Sequence, residues 1–309
     1  MNQSSKLILK IFYFLLPIIL ILGYLEYRLS KSNFANSYAT KKYLVEQQLE
    51  SIETLILGSS ESFNGIDPSF FTTKTYNLAN VSQTLYYDKE ITLKYLPKMP
   101  HLKNVVINIS YFSFFYQLED IKEKWRCNFY QKYFGITSSN KKTNNLYNNT
   151  FLGVYELKHS LELAFNKFVD SNATTILKNG YQPKFTQEII NDSSGLARIQ
   201  IHNSENFKGR RKEIENELEN FVQVLQQKNI KIIFVSTPVF STYSKFCDKN
   251  IIEQNKKYIN YLCTKYQCSY LNYFTDTDFT KDDFFDNDHL KDNGAKKLST
   301  KINEAIKNY

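Results

Sequence analysis

A parallel sheet covered by helices on both faces is the fold class that the sequence predicts, and three observations predict it. Short apolar, β-rich runs alternate with longer amphipathic stretches, the pattern of βα units joined by right-handed crossovers. One of these runs, residues 104–109 (NVVINI), is apolar almost throughout, as a strand buried on both faces has to be. Another, Thr54-Leu55-Ile56-Leu57, stops at Gly58-Ser59-Ser60, a strand entering a tight turn. In such sheets the ligand lies at the carboxyl ends of the strands.

The elements follow in order. Ile11 to Leu25 carries no charge, and with Leu7, Ile8 and Leu9, and Lys10 snorkelling, the run approaches the roughly 20 residues that cross a bilayer. Tyr13 and Tyr24 lie near its two ends, at interfacial positions. Lys6 and Lys10 precede it while Arg28, Lys31, Lys41 and Lys42 follow, so basic residues fix no orientation. A short N-terminal span before a large domain reads instead as a retained export signal that leaves the domain outside. A cleaved signal peptide would need small residues just after the span, and Ala35 and Ala39 lie about ten residues too far along. A buried core helix would carry a polar stripe, which this run lacks.

The expected division is therefore a cytoplasmic tip and membrane anchor at 1–28, a polar stalk at 29–50 and an α/β domain at 51–309. Within that domain the strands are predicted at 54–57, 75–79, 104–109, 231–235 and 270–274. Helices are predicted at 83–95, 212–227 and 251–266, with a last one beginning near Asn293. Between about 113 and 208 the alternation fades into a stretch rich in Tyr, Phe, Asn and Lys, read as an insertion of the kind that often forms a lid.

Composition excludes several functions. The 39 Lys+Arg and 31 Asp+Glu leave a net charge of +8, but the basic residues are scattered among acidic ones, so no nucleic-acid tract is present. The mild excess suits an anionic lipid or polysaccharide nearby. Neither G-x-G-x-x-G nor G-x-x-x-x-G-K-[ST] occurs, which removes dinucleotide and P-loop readings. Cys127, Cys247, Cys263 and Cys268 have no C-x-x-C spacing, so no metal is expected; a disulfide among the last three and free buried thiols both remain open. No cofactor is called for.

A nucleophilic serine needs exposure on a turn at a strand end, a base within reach and donors for the oxyanion. Ser60 meets the first requirement, although Gly-Ser-Ser taken alone reads more readily as a plain turn. The sequence then offers Asp286 and His289, three apart in Phe285-Asp286-Asn287-Asp288-His289-Leu290, just ahead of the final helix. A turn there can return the carboxylate to Nδ1 and leave Nε2 free to take the serine proton. His101, His159 and His202 lack such a setting and are read as surface or structural.

The Gly58-Ser59-Ser60 turn, with Asp286-x-x-His289-Leu290 and Gly294-Ala295 near the other end, resembles the first and last blocks of the SGNH/GDSL hydrolase superfamily. More closely, the chain is similar to single-anchor SGNH-like proteins of bacterial cell-surface polysaccharide loci, whose Gly-Ile-x-Pro segment is matched by Gly65-Ile66-Asp67-Pro68. The similarity covers about 51–112 and 230–309. It implies a flavodoxin-like α/β/α sandwich and a Ser60–His289–Asp286 triad. The Ser60 amide and that of Ser82, which stands where the family's second block has glycine, would form the oxyanion hole. The third-block asparagine has no match, because Asn108 comes too early.

The implied activity is that of an esterase or O-acyltransferase on cell-envelope glycans, with a short acyl group passing through Ser60. The implied location is the bacterial inner membrane, with the domain facing the periplasm or cell exterior and a membrane-bound acyl-donor partner possible. The competing expectation is a degenerate domain of the same fold that binds glycan or scaffolds an export complex. A periplasmic solute-binding module would need two lobes, and the pattern supplies one sheet.

Overall fold

The computed structural model describes residues 3–31, 36–139, 150–154, 161, 165, 175–204 and 209–308. They divide into two compact units, one of residues 1–36 and 125–174, the other of residues 37–124 and 175–309.

In the first unit, helix α1 (Gln3–Lys31) has a 27-residue stretch, Gln3–Leu29, long and apolar enough to cross a membrane. Many of its large apolar side chains, Ile8, Phe14 and Leu20 among them, lie more than half exposed, a surface that suits hydrocarbon rather than water. At its far end Leu25 and Leu29 are buried, with Phe151 and Leu152 packed against them. The Glu26 carboxylate there accepts hydrogen bonds from the amides of Phe151 at 2.8 Å and Leu152 at 3.0 Å.

The second unit holds five parallel strands, β1 (Thr54–Leu57), β2 (Thr75–Asn77), β3 (Asn104–Asn108), β4 (Lys231–Ser236) and β5 (Ser269–Asn272), in the order β2-β1-β3-β4-β5. This is the flavodoxin-like order. The helices that precede, separate and follow them are α2 (Ser37–Glu46), α3 (Ser60–Gly65), α4 (Leu85–Tyr95), α5 (Asp192–Ser204), α6 (Arg211–Gln227), α7 (Lys249–Tyr266) and α8 (Asp292–Lys307). Every residue of β1 and β3 is buried, which explains why their sequences do not alternate. On one face Ile56, Val106, Ile233 and Val235 pack with Leu298 and Ile302 of α8. By the twofold alternation of a strand, Leu55, Val105, Ile232 and Phe234 face the other side, where α6 buries Leu218, Phe221, Val222 and Leu225.

The strands, the four main helices and the three-layer arrangement agree with the sequence reading to within a few residues. Two boundaries do not. The stretch expected as a stalk at 29–50 includes α2, whose Tyr38, Lys41 and Val45 are buried within the sheet unit. There Lys41 Nζ donates to the carbonyl of Asn77 at 2.9 Å and to that of Ala79, just past β2. The stretch expected as one insertion at 113–208 is shared: 125–174 falls in the first unit, 113–124 and 175–208 in the second. Residues 32–35 of the expected stalk, and 140–149, 155–160, 162–164, 166–174 and 205–208 of the expected insertion, lie outside the described residues.

Candidate active site

The site is built where β1, β2, β3 and β4 end. After β1 the backbone turns at Gly58, whose φ of 128° favours glycine, and a Cβ there would meet Asn108 Cβ at 2.6 Å. Its amide donates to Asp88 Oδ1 of α4 at 3.0 Å, and its carbonyl accepts from Asn80 N, past β2, at 3.2 Å. The turn is thus tied to elements on either side. Ser60 opens α3 and is partly exposed, while Ser59 and Glu61 are buried.

The second half comes from the loop before α8. Phe284 and Leu290 form an isolated antiparallel bridge, and Phe285 N donates to His289 O at 2.8 Å. Inside this loop Asp286 Oδ1 accepts from the amides of Asp288 at 2.9 Å and His289 at 2.8 Å, so the carboxylate folds back over the turn. Asp286 Oδ2 lies 2.9 Å from His289 Nδ1, and His289 Nε2 lies 2.7 Å from Ser60 Oγ. The loop enters α8 through Gly294, where a Cβ would come within 2.3 Å of Asp283 O.

Ser60, His289 and Asp286 are therefore brought together in hydrogen-bonding order, although Ser60 and His289 stand 229 positions apart. Burial pulls the His289 pKa down, but the carboxylates of Asp286 and Asp288 outweigh it and the net direction is upward. Burial pushes the Asp286 carboxyl up, and the charge and hydrogen bond of His289 reverse this, holding it below the usual carboxylate range.

Two further buried carboxylates flank these three side chains, neither flagged by any local pattern. Glu61 Oε2 accepts from Asn108 Nδ2 at 2.9 Å, from Thr237 Oγ1 at 3.1 Å and from Ser110 Oγ, so it joins the ends of β3 and β4 to the Gly58–Ser60 turn. Burial, then the charge of Asp288, push its pKa up. Asp288, 1% exposed in its side chain, receives Arg198 Nε of α5 at 2.9 Å on both oxygens. Asp286, Asp288 and His289 could offer ligand atoms within 4.8 Å of one another to a metal ion. Arg198 already supplies the positive charge on Asp288, and Nδ1 is committed to Asp286, so a cation fits poorly there.

Ser82 adopts φ 55°, the left-handed conformation glycine takes without cost, which accounts for a position where the resemblance anticipates glycine. Its hydroxyl donates to the Glu123 carboxylate, and its loop is held by Gln83 N on Asn80 O at 3.2 Å. Asn108 Nδ2 is spent on Glu61 and on Ser110 Oγ at 3.0 Å, so that amide does not stand in for a third oxyanion donor. The four cysteines are free thiols, and burial, its largest influence, pushes the Cys263 thiol up to about 11.

No protein-family model matches this sequence, and no curated protein matches it. Among solved structures it is similar to a Bacteroides fragilis protein assigned as an acylhydrolase, at 11% identity and a TM-score of 0.41, over 85% of this chain and 94% of that one. It is also similar to a GDSL-like lipase of Bacteroides thetaiotaomicron, at 12% identity and a TM-score of 0.42, over 88% of this chain and 99% of that one. The geometry, not these likenesses, carries the functional argument.

Proposed function

We propose that this chain is a serine acyl-ester hydrolase or O-acyltransferase of the SGNH/GDSL type, acting on cell-envelope glycans. The observation that carries the reading is the aligned trio: Ser60 Oγ 2.7 Å from His289 Nε2, whose Nδ1 lies 2.9 Å from Asp286. As Ser60 Oγ bonds to the carbonyl carbon of an acyl ester, His289 Nε2 takes the hydroxyl proton, and Asp286 steadies the imidazolium. The amides of Ser60 and Ser82 stabilise the oxyanion. The bond to the leaving oxygen then breaks, that oxygen receives the proton from His289, and an acyl-Ser60 ester remains. Water or a sugar hydroxyl attacks this ester, His289 again holding the proton before Ser60 recovers it.

The apolar α1 supports a single-pass anchor in a bacterial inner membrane, with the domain facing outward and near acylated glycans and a membrane-bound acyl donor. A fluorophosphonate probe tests the chemistry: labelling of the wild type but not of Ser60→Ala is expected, and labelling that ignores Ser60 sinks the proposal. Glycan mass spectrometry of a deletion strain separates the two acceptors, since a gained acyl group means an esterase and a lost one a transferase.

A second reading, a glycan-binding or scaffolding domain without turnover, is favoured by one observation, the commitment of Asn108 Nδ2 to Glu61. An oxyanion hole short of one donor costs about a hundredfold or more in rate.

A further inference from the structure

We propose that Arg198 of α5 is a positioning residue for His289, neutralising a second carboxylate, Asp288, that otherwise competes with Asp286 for the imidazole. The inference rests on the reading of His289 as general base.

Asp288 Oδ1 lies 3.6 Å from His289 Nδ1, against 2.9 Å for Asp286 Oδ2, so two carboxylates address one ring nitrogen. Only one can hold the ring in the orientation that aims Nε2 at Ser60. Asp286 is fixed by two backbone amides of its own loop, whereas Asp288 is turned away by Arg198, whose Nε lies 2.9 Å from both of its oxygens. With the pair intact, Arg198 offsets part of the charge of Asp288 at the ring; without Arg198 a buried anion stands beside it unopposed.

The guanidinium arrives on a segment that grips the loop at several further points. Asp292 N donates to Lys184 O at 2.9 Å, Glu188 N to Phe285 O at 2.7 Å, and Asn287 Nδ2 to Ser194 Oγ at 3.0 Å. Of these contacts, that of Arg198 is the one that brings charge.

The groups facing His289 come from several elements. Asp286 and Asp288 lie on its own loop, Arg198 and His202 on α5 and Glu61 on α3, with Tyr243 of the short helix Ser241–Ser244 set against His202. Burial holds His202 neutral, its Nδ1 2.6 Å from the Tyr243 hydroxyl, and Tyr243 keeps its proton for the same reason. The charges left to set the ring are the carboxylates and Arg198. Arg198 stays cationic throughout the accessible pH range.

The two halves of the pair therefore act on His289 with opposite sign. The test is the loss of the His289 ring proton, followed by nitrogen NMR of the histidine-labelled full chain in detergent, with ester hydrolysis against pH as a second readout. Arg198→Gln is expected to raise the midpoint by about one pH unit and Asp288→Asn to lower it by about as much, the scale of one charge beside a partly buried group. The double variant removes both charges, so the opposed shifts offset each other and its midpoint returns to within about 0.3 unit of the wild type. Arg198→Lys, which keeps the charge, leaves the midpoint near the wild type while lowering kcat.

Single variants that leave the midpoint unmoved, or move it in the same direction, overturn the proposal. If Arg198→Gln does not fold, a double variant whose midpoint departs from the wild type overturns it equally. A wild type that hydrolyses no ester but shows the opposed shifts refutes the enzymatic reading and supports the charge device.

Discussion

Glu61 offers the sharpest test of how the site is held. Three donors, Asn108, Ser110 and Thr237, converge on one oxygen of a carboxylate that is 3% exposed. Replacing Glu61 by Ala strands these donors in a site closed to water, at about 1–3 kcal/mol for each unpaired group. Asn108 and Ser110 already bond to each other at 3.0 Å and partly compensate. The sum is therefore nearer 3–5 kcal/mol, the range for breaking a buried charged network. Glu61→Gln keeps one acceptor and the volume, and costs about 1–2 kcal/mol.

At about 2–4 °C per kcal/mol for a unit of this size, the Ala variant melts roughly 10 °C lower and the Gln variant roughly 4 °C lower. Near-ultraviolet circular dichroism of the full chain in detergent, which reads its tyrosine-rich core, measures both. Because Glu61 adjoins Ser60, fluorophosphonate labelling should slow in the same order. Melting of both variants within about 2 °C of the wild type would refute the argument that this carboxylate knits the strand ends together.

Gly58→Ala forces a Cβ to within 2.6 Å of Asn108 Cβ at φ 128° and should destabilise by more than about 2 kcal/mol, read as a shift in urea midpoint. Ser82→Gly keeps the backbone amide and the left-handed conformation, so ester hydrolysis should stay within about threefold of the wild type; a larger loss assigns the hydroxyl a role of its own. Asp286→Asn should lower kcat by about 10³–10⁴ through the wrong imidazole tautomer. The His289 pKa is raised, so kcat/KM should climb as pH rises through a midpoint above the free imidazole value of about 6.5, and that midpoint should fall in Asp286→Asn. In stability the raised His289 contributes below about pH 6.5 and loses that contribution as pH rises through its folded pKa. The depressed Asp286 contributes above about pH 4 and loses it as pH falls towards its folded pKa, so urea midpoints of wild type and Asp286→Asn should converge in acid.

The sheet was legible because β1 and β3 are buried on both faces, which leaves runs such as Val105-Val106-Ile107 with no competing helical period. The helices at 212–227 and 251–266 announced themselves by amphipathic spacing, and the Asp286–His289 turn by residues three apart, because that contact is local. What escaped the sequence is what lacks a local signature. Helix α2 buries Tyr38, Lys41 and Val45, a correct helical spacing, but a lysine at its centre makes the stripe read as polar. Arg198 meets Asp288 across 90 positions, and Thr237 meets Glu61 across 176, so no window along the chain contains either pair. Ser82 illustrates a third limit: a residue type can mislead about conformation when the backbone adopts a glycine-like angle regardless.

The wide separation of Ser60 from His289 also bears on how the chain matures. Synthesis delivers the Gly58–Ser60 turn well ahead of the Asp286–His289 loop, and α8 must dock before that loop has a floor. On the proposed reading, a nascent polypeptide thus carries an unarmed serine until His289, 229 positions further on, has been made. Reactivity towards a serine-directed reagent would then act as a clock for final closure, silent in chains halted before Leu290 and switched on once α8 has packed.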